Sequence, residues 1–106
     1  MDNTTLVQLE DLLARNHALL TLAGQEAWDA FADDVEVYST QLKAMVDVDF
    51  NELESTEREM AVQLLEALLI QDSRLMQCIQ ARLNNLSGEM SSLRQSRRSA
   101  QAYTAV

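Results

Sequence analysis

The side chains best suited to nucleophilic or acid–base chemistry near neutral pH are His17 and Cys78, each the only residue of its type in the sequence. Nucleophilic catalysis needs a base within hydrogen-bond reach and a third group to orient it, yet these two residues fall on different predicted helices. A histidine on a helical bundle raises the chemistry of phosphotransfer, where the active histidine is typically followed by Leu-Lys-Gly. Here the run is His17-Ala18-Leu19-Leu20-Thr21, without lysine, so His17 is read as a half-buried structural side chain. Cys78 and Met76 lie in an apolar helical stretch, where sulfur side chains fill space. Asp33 with Asp34 and Asp47 with Asp49 lack the alternating, glycine-containing loop of calcium sites and are read as solvated charge. No catalytic, cofactor-binding or metal-ligating residue is predicted, and the chain is read as a non-enzyme.

The elements that carry these residues follow from composition. The 106 residues include no proline and only two glycines, Gly24 and Gly88, so little interrupts helical hydrogen bonding. The expected fold is all-α: an antiparallel bundle of three long helices plus a short C-terminal helix or tail, in a single domain over residues 1–106. The formal charge is −9, with 14 acidic and 3 basic side chains in residues 1–60 and 3 acidic and 5 basic in residues 61–106. Nucleic-acid binding needs a basic footprint to displace counterions, so direct contact with DNA or RNA is not expected. One cysteine permits no internal disulfide. Neither a basic-then-apolar leader nor a run of roughly 20 apolar residues is present, and the expected location is the cytosol.

The first helix is predicted over residues 5–23, with Thr5 and Gln8 at capping-box spacing and Leu6, Leu9, Leu13 and Leu20 on one side. Gly24 is the expected left-handed terminator, and a short connection turns the second helix, residues 25–46, back antiparallel. That helix carries Trp28, Phe31, Val35, Tyr38, Leu42 and Met45, an alternation of 3 and 4 residues that makes a coiled-coil-like seam. Its opposite face holds Asp29, Asp33, Asp34 and Glu36. Trp28 is read as a packing wedge at the closed end of the hairpin, in preference to an exposed anchor. Periodicity fails from Asp47 to Ser55, a linker in which Phe50 and Leu53 pack down.

Thr56 and Glu59 form a second capping box for a third helix over residues 57–94. At about 100° per residue, Ala61, Leu64, Leu68, Leu75, Ile79, Leu86 and Leu93 form one stripe, with Val62, Leu65, Leu69, Met76 and Leu83 beside it. A helix facing its own core needs an apolar arc of roughly 100°, and the two stripes together are wider. The second stripe is therefore the expected binding surface for another protein. From Asn84 onward weak helix formers collect, predicting a bend between Gly88 and Arg98 and a separate segment over 95–106. Arg94, Arg97 and Arg98 have two readings, solubilising the tail or docking on the acidic face of the second helix or of a partner.

Two stretches, Leu19-Leu20-Thr21-Leu22-Ala23-Gly24-Gln25-Glu26-Ala27-Trp28-Asp29 and Gln80-Ala81-Arg82-Leu83-Asn84-Asn85-Leu86-Ser87 followed by Ala102-Tyr103, resemble the FliT flagellar export chaperones. The similarity runs from about Leu6 to Tyr103. It implies a cytoplasmic, non-enzymatic chaperone that binds the filament cap protein, prevents its premature assembly and delivers it to the type III export machinery. The implied partners are the cap protein, the export ATPase, the export gate and the flagellar master transcription activator complex, the last restrained by protein contact alone.

The resemblance also implies homodimers through the N-terminal helices, so that Leu6, Leu9, Leu13, Leu20, Trp28, Phe31 and Val35 are expected in the core or dimer region. Client binding is assigned to Val62, Leu65, Leu69, Met76 and Leu83. A regulatory C-terminal segment with Arg94, Arg97, Arg98 and Tyr103 is expected to fold back over that stripe from Gly88 onward. The alternatives are a helical regulatory or coiled-coil module without an export client and, further off, phosphotransfer at His17.

Overall fold

The computed structural model describes the backbone of residues 4–104 and the side chains of residues 4–99. The elements are α1 (Thr4–Gly24), α2 (Trp28–Val46), a single 3-10 turn (Phe50–Glu52) and α3 (Ser55–Thr104). The fold is all-α, and no strand occurs among the described residues. The chain divides into two compact units, Met1–Met76 and Gln77–Val106.

In the first unit α1 and α2 pack together as a hairpin. Its core repeats on a heptad in α2 and α3: Phe31, Tyr38 and Met45 are buried on α2, and Ala61, Leu68 and Leu75 on α3. Seven residues bring a helix back to almost the same face, so each series forms one packed line. The α1 face is Leu9, Leu12, Asn16 and Leu19. Of the leucines expected there, Leu9 is buried, while Leu6, Leu13 and Leu20 are half-buried at the margin. The face is rotated because a polar residue, Asn16, occupies its centre. His17, one residue further round, is exposed rather than half-buried.

The α1–α2 corner is a Schellman motif. Ala27 N–H donates to Leu22 C=O at 3.0 Å and Glu26 N–H to Ala23 C=O at 3.1 Å, which satisfies carbonyls that a helix end leaves open. The left-handed residue is Glu26, at φ 58°, and not Gly24, which remains inside α1. Trp28 follows half-buried, its ring edge-on to Phe31 at 5.4 Å and 72°, consistent with a packing wedge.

The α2–α3 linker is ordered by its own polar groups. Asp49 caps the 3-10 turn by accepting from Asn51 N–H at 2.9 Å. Arg58 reaches back from the first turn of α3 and donates to the carbonyls of Phe50, Asn51 and Leu53 at 3.0–3.1 Å. A rigid guanidinium fork suits three convergent acceptors, and this clamp starts α3 at Ser55, ahead of the Thr56 and Glu59 spacing. α3 keeps α-helical backbone through Gly88 and Arg98 to Thr104, so residues 95–104 are part of α3 and not a separate element. Propensity deficits of a few tenths of a kcal/mol per serine or asparagine are a weak prior, and neither glycine has positive φ.

Candidate functional site

Apolar periodicity on α3 exceeds what the first unit buries. The stripe of Ala61, Leu68 and Leu75 is buried, with Leu64 half-buried beside it. The neighbouring stripe is open: Val62 is 42% exposed, Leu69 59% and Met76 55%, while Leu65 is half-buried. Leu65 and Leu69 also line a groove of about 420 Å³ between α2 and α3, whose other walls include Leu42, Met45, Val46, Val48, Phe50, Leu68 and Asp72. Val46 stands at its rim, 82% exposed. Burying such side chains stabilises by about 1.5–3 kcal/mol each, so the rim offers a partner several kcal/mol of contact. Val46, Val48 and Phe50 were absent from the sequence-based surface because they lie outside α3. The failure of periodicity after Met45 was the only signal that chain there leaves the bundle register.

Directly behind the groove is a polar layer that joins all three helices. Asn16 Nδ2 donates to the Tyr38 hydroxyl at 2.9 Å, and that hydroxyl donates to Asp72 Oδ1 at 2.8 Å. Asn16 is fully buried and Tyr38 nearly so. Burial raises the Tyr38 phenol from 10.0 to about 12; the Asn16 hydrogen bond opposes this and the Asp72 carboxylate adds to it. Asn16 Oδ1 is buried without a hydrogen-bond partner, as is Gln41 Oε1. On α1 and α2 the layer occupies core positions, while on α3 Asp72, between Leu68 and Leu75, is half-buried and lines the groove.

In the second unit Cys78, Ile79, Arg82 and Leu86 are half-exposed, and the other side chains from Gln77 to Ser99 are exposed, among them Leu83, Arg94, Arg97 and Arg98. The Tyr103 side chain lies outside the described residues. The other members of the expected core or dimer region are placed as follows: Phe31 is buried and Val35 half-buried. The described residues contain no cluster of three or more His, Cys, Asp or Glu able to hold a metal ion, and no helix among them is long and apolar enough to cross a membrane.

These features define a small all-α helical protein distinguished by open apolar helix surface and a groove. The sequence matches the family model described as Flagellar protein FliT over residues 6–105. The chain belongs to the FliT flagellar protein family, as the two sequence motifs indicate. No curated protein and no solved structure gives a match.

Proposed function

We propose that the chain is a cytoplasmic export chaperone of the flagellar type III pathway. It binds the filament cap protein, prevents its premature assembly and hands it to the export ATPase and export gate. Membership of the FliT family supports the pathway. The observation that carries the binding role is the open stripe of Val62, Leu69 and Met76 beside the α2–α3 groove. An amphipathic client helix laid there places apolar residues at 3 and 4 spacing into the groove. Leu83, in the second unit, is also exposed.

Homodimerisation through the hairpin and restraint of the flagellar master transcription activator by protein contact complete the proposal. With a net charge of −9, the regulatory role proceeds without touching DNA. The test is titration of purified cap protein into the full chain, followed by calorimetry. Saturable binding that Val62→Asp and Met76→Asp abolish is the expected result. Absence of binding, with recovery from flagellated cells of a transcription regulator alone, would replace the chaperone by an anti-activator module.

A further inference from the structure

The groove between α2 and α3 is apolar except at one place. Leu42, Val46, Phe50, Leu65 and Leu69 stand on its walls, and Asp72 is the only charged side chain among the residues that line it. Asp72 Oδ1 accepts from the Tyr38 hydroxyl, and the polar layer needs nothing more from position 72 than that one acceptor. An asparagine would supply it through its amide oxygen and carry no charge. The carboxylate brings a charge and a second oxygen, Oδ2, which has no hydrogen-bond or ion-pair partner among the described residues. Arg74 is no substitute, since two steps of about 100° carry it round α3 away from Asp72, and its side chain is exposed.

That surplus charge decides what can cover the groove. A half-buried carboxylate is solvated from the open side, and a helix laid in the groove removes that solvation. An all-apolar client would bury the charge unpaired, which is strongly unfavourable. A client that brings a cation to Oδ2 replaces the lost hydration with a charge-assisted hydrogen bond. Discrimination of this kind rejects the wrong segment as much as it attracts the right one. The surroundings carry the same sign. Val48 lines both the groove and an adjoining pocket of about 520 Å³ that bears Asp47, Asp49, Glu52, Glu54 and Glu57, and residues 1–76 hold 16 acidic side chains against 4 basic ones. A basic helix is drawn toward this unit before contact, and an acidic one is repelled.

We propose that Asp72 selects the client: the segment that occupies the groove is an amphipathic helix with a lysine or arginine set in its apolar stripe, paired with Asp72 Oδ2. Asp72 lies three residues beyond Leu69, about 4.5 Å along α3. For a client helix aligned with α3, the cation therefore falls within one helical turn of the side chain that packs on Leu69. This rests on the chaperone reading and adds to it the kind of segment that the groove accepts.

The test is calorimetric titration of purified cap protein into the full chain, parent against Asp72→Asn. The asparagine keeps an acceptor for Tyr38, and urea denaturation of the variant checks that the fold is intact. Asp72→Asn is expected to weaken binding by about tenfold or more. On the client side, each lysine and arginine in the segment that the chaperone protects from hydrogen exchange is changed to glutamine. One of these changes is expected to weaken binding to the parent by the same factor and to cost nothing further against Asp72→Asn. The client-side loss is read on the parent chain, so it decides the matter even where Asp72→Asn folds poorly. Equal affinity of parent and Asp72→Asn overturns the proposal and leaves the chaperone reading standing. So does a loss with Asp72→Asn that no client substitution shares, as a merely structural Asp72 would give. Cap protein that does not bind the parent removes the chaperone reading, and this proposal with it.

Discussion

Tyr38 donates its phenolic proton to Asp72 Oδ1 at 2.8 Å, and so ties α2 to α3 in the middle of a line of leucines. The Tyr38 hydroxyl oxygen also accepts from Asn16 Nδ2, so a single hydroxyl serves three helices. Tyr38→Phe keeps the ring but leaves the Asn16 amide buried without its acceptor, at a cost of about 1–3 kcal/mol. Urea denaturation at neutral pH should show that loss with an unchanged slope.

The same residue sets a limit at alkaline pH. Tyr38 ionises near 10.0 in the unfolded chain and near 12 in the folded one. Between those values the folded protein holds a proton that the unfolded chain has released. Its contribution is fully present below pH 10 and is lost as pH rises toward 12, by about 2–3 kcal/mol in all. Stability measured across that range should fall steeply in the parent and less in Tyr38→Phe; parallel profiles would exclude Tyr38 as the titrating group.

The α1–α2 corner has its glycine two residues from where a left-handed backbone needs one. Gly24 sits in helix with nothing within 4 Å of an added Cβ, so Gly24→Ala should stabilise by about 0.5–1 kcal/mol. Glu26 adopts φ 58°, and Glu26→Gly should add about 1 kcal/mol by removing the steric cost of that conformation. Thermal melts of each variant and of the pair check both signs, and the two gains test whether these near neighbours are additive.

Adjacent residues on α3 should behave in opposite ways. Leu68 is fully buried, and Leu68→Ala should cost about 2–5 kcal/mol. Leu69 is 59% exposed, and Leu69→Asp should leave the isolated chain within about 0.5 kcal/mol while removing client binding. A Leu69→Asp chain that unfolds would place Leu69 in the core and withdraw the docking surface.

Arg58 should hold the linker in place. Arg58→Ala removes donors to three carbonyls and should cost about 1.5–3 kcal/mol, the value of hydrogen bonds to a charged group. Arg58→Lys should restore little, because an ammonium lacks the planar fork. Amide exchange of Asn51 to Leu53 gives a local readout, since those residues should lose protection ahead of the helices.

Much of the architecture could be read from spacing. The 3 and 4 alternation from Trp28 to Met45 and the stripe through Ala61, Leu68 and Leu75 both translate directly into buried heptad lines. The width of the α3 arc likewise corresponds to the exposure of Val62, Leu69 and Met76. What escaped was polar. Asn16 occupies a core position and Asp72 a half-buried one beside the groove, and a search for apolar periodicity passes over them, which displaced the α1 face onto Leu6, Leu13 and Leu20. Hydrogen bonding through Tyr38 offsets the burial of those two groups, and that depends on three helices meeting, which no single helix encodes. Glu26 was hidden for a related reason: the Schellman bonds and the short connection impose its conformation, against its own preference.

The layer of Asn16, Tyr38 and Asp72 also determines where the bundle first wets. Each of its bonds can be replaced by one to water at little net cost, and Asn16 Oδ1 gains a bond on hydration. The leucine contacts on either side have no such replacement. Partial opening should therefore begin at this layer and not at the leucine contacts on either side of it. Native-state hydrogen exchange would show this as a smaller opening free energy for backbone amides around Tyr38 than for those around Phe31 and Met45.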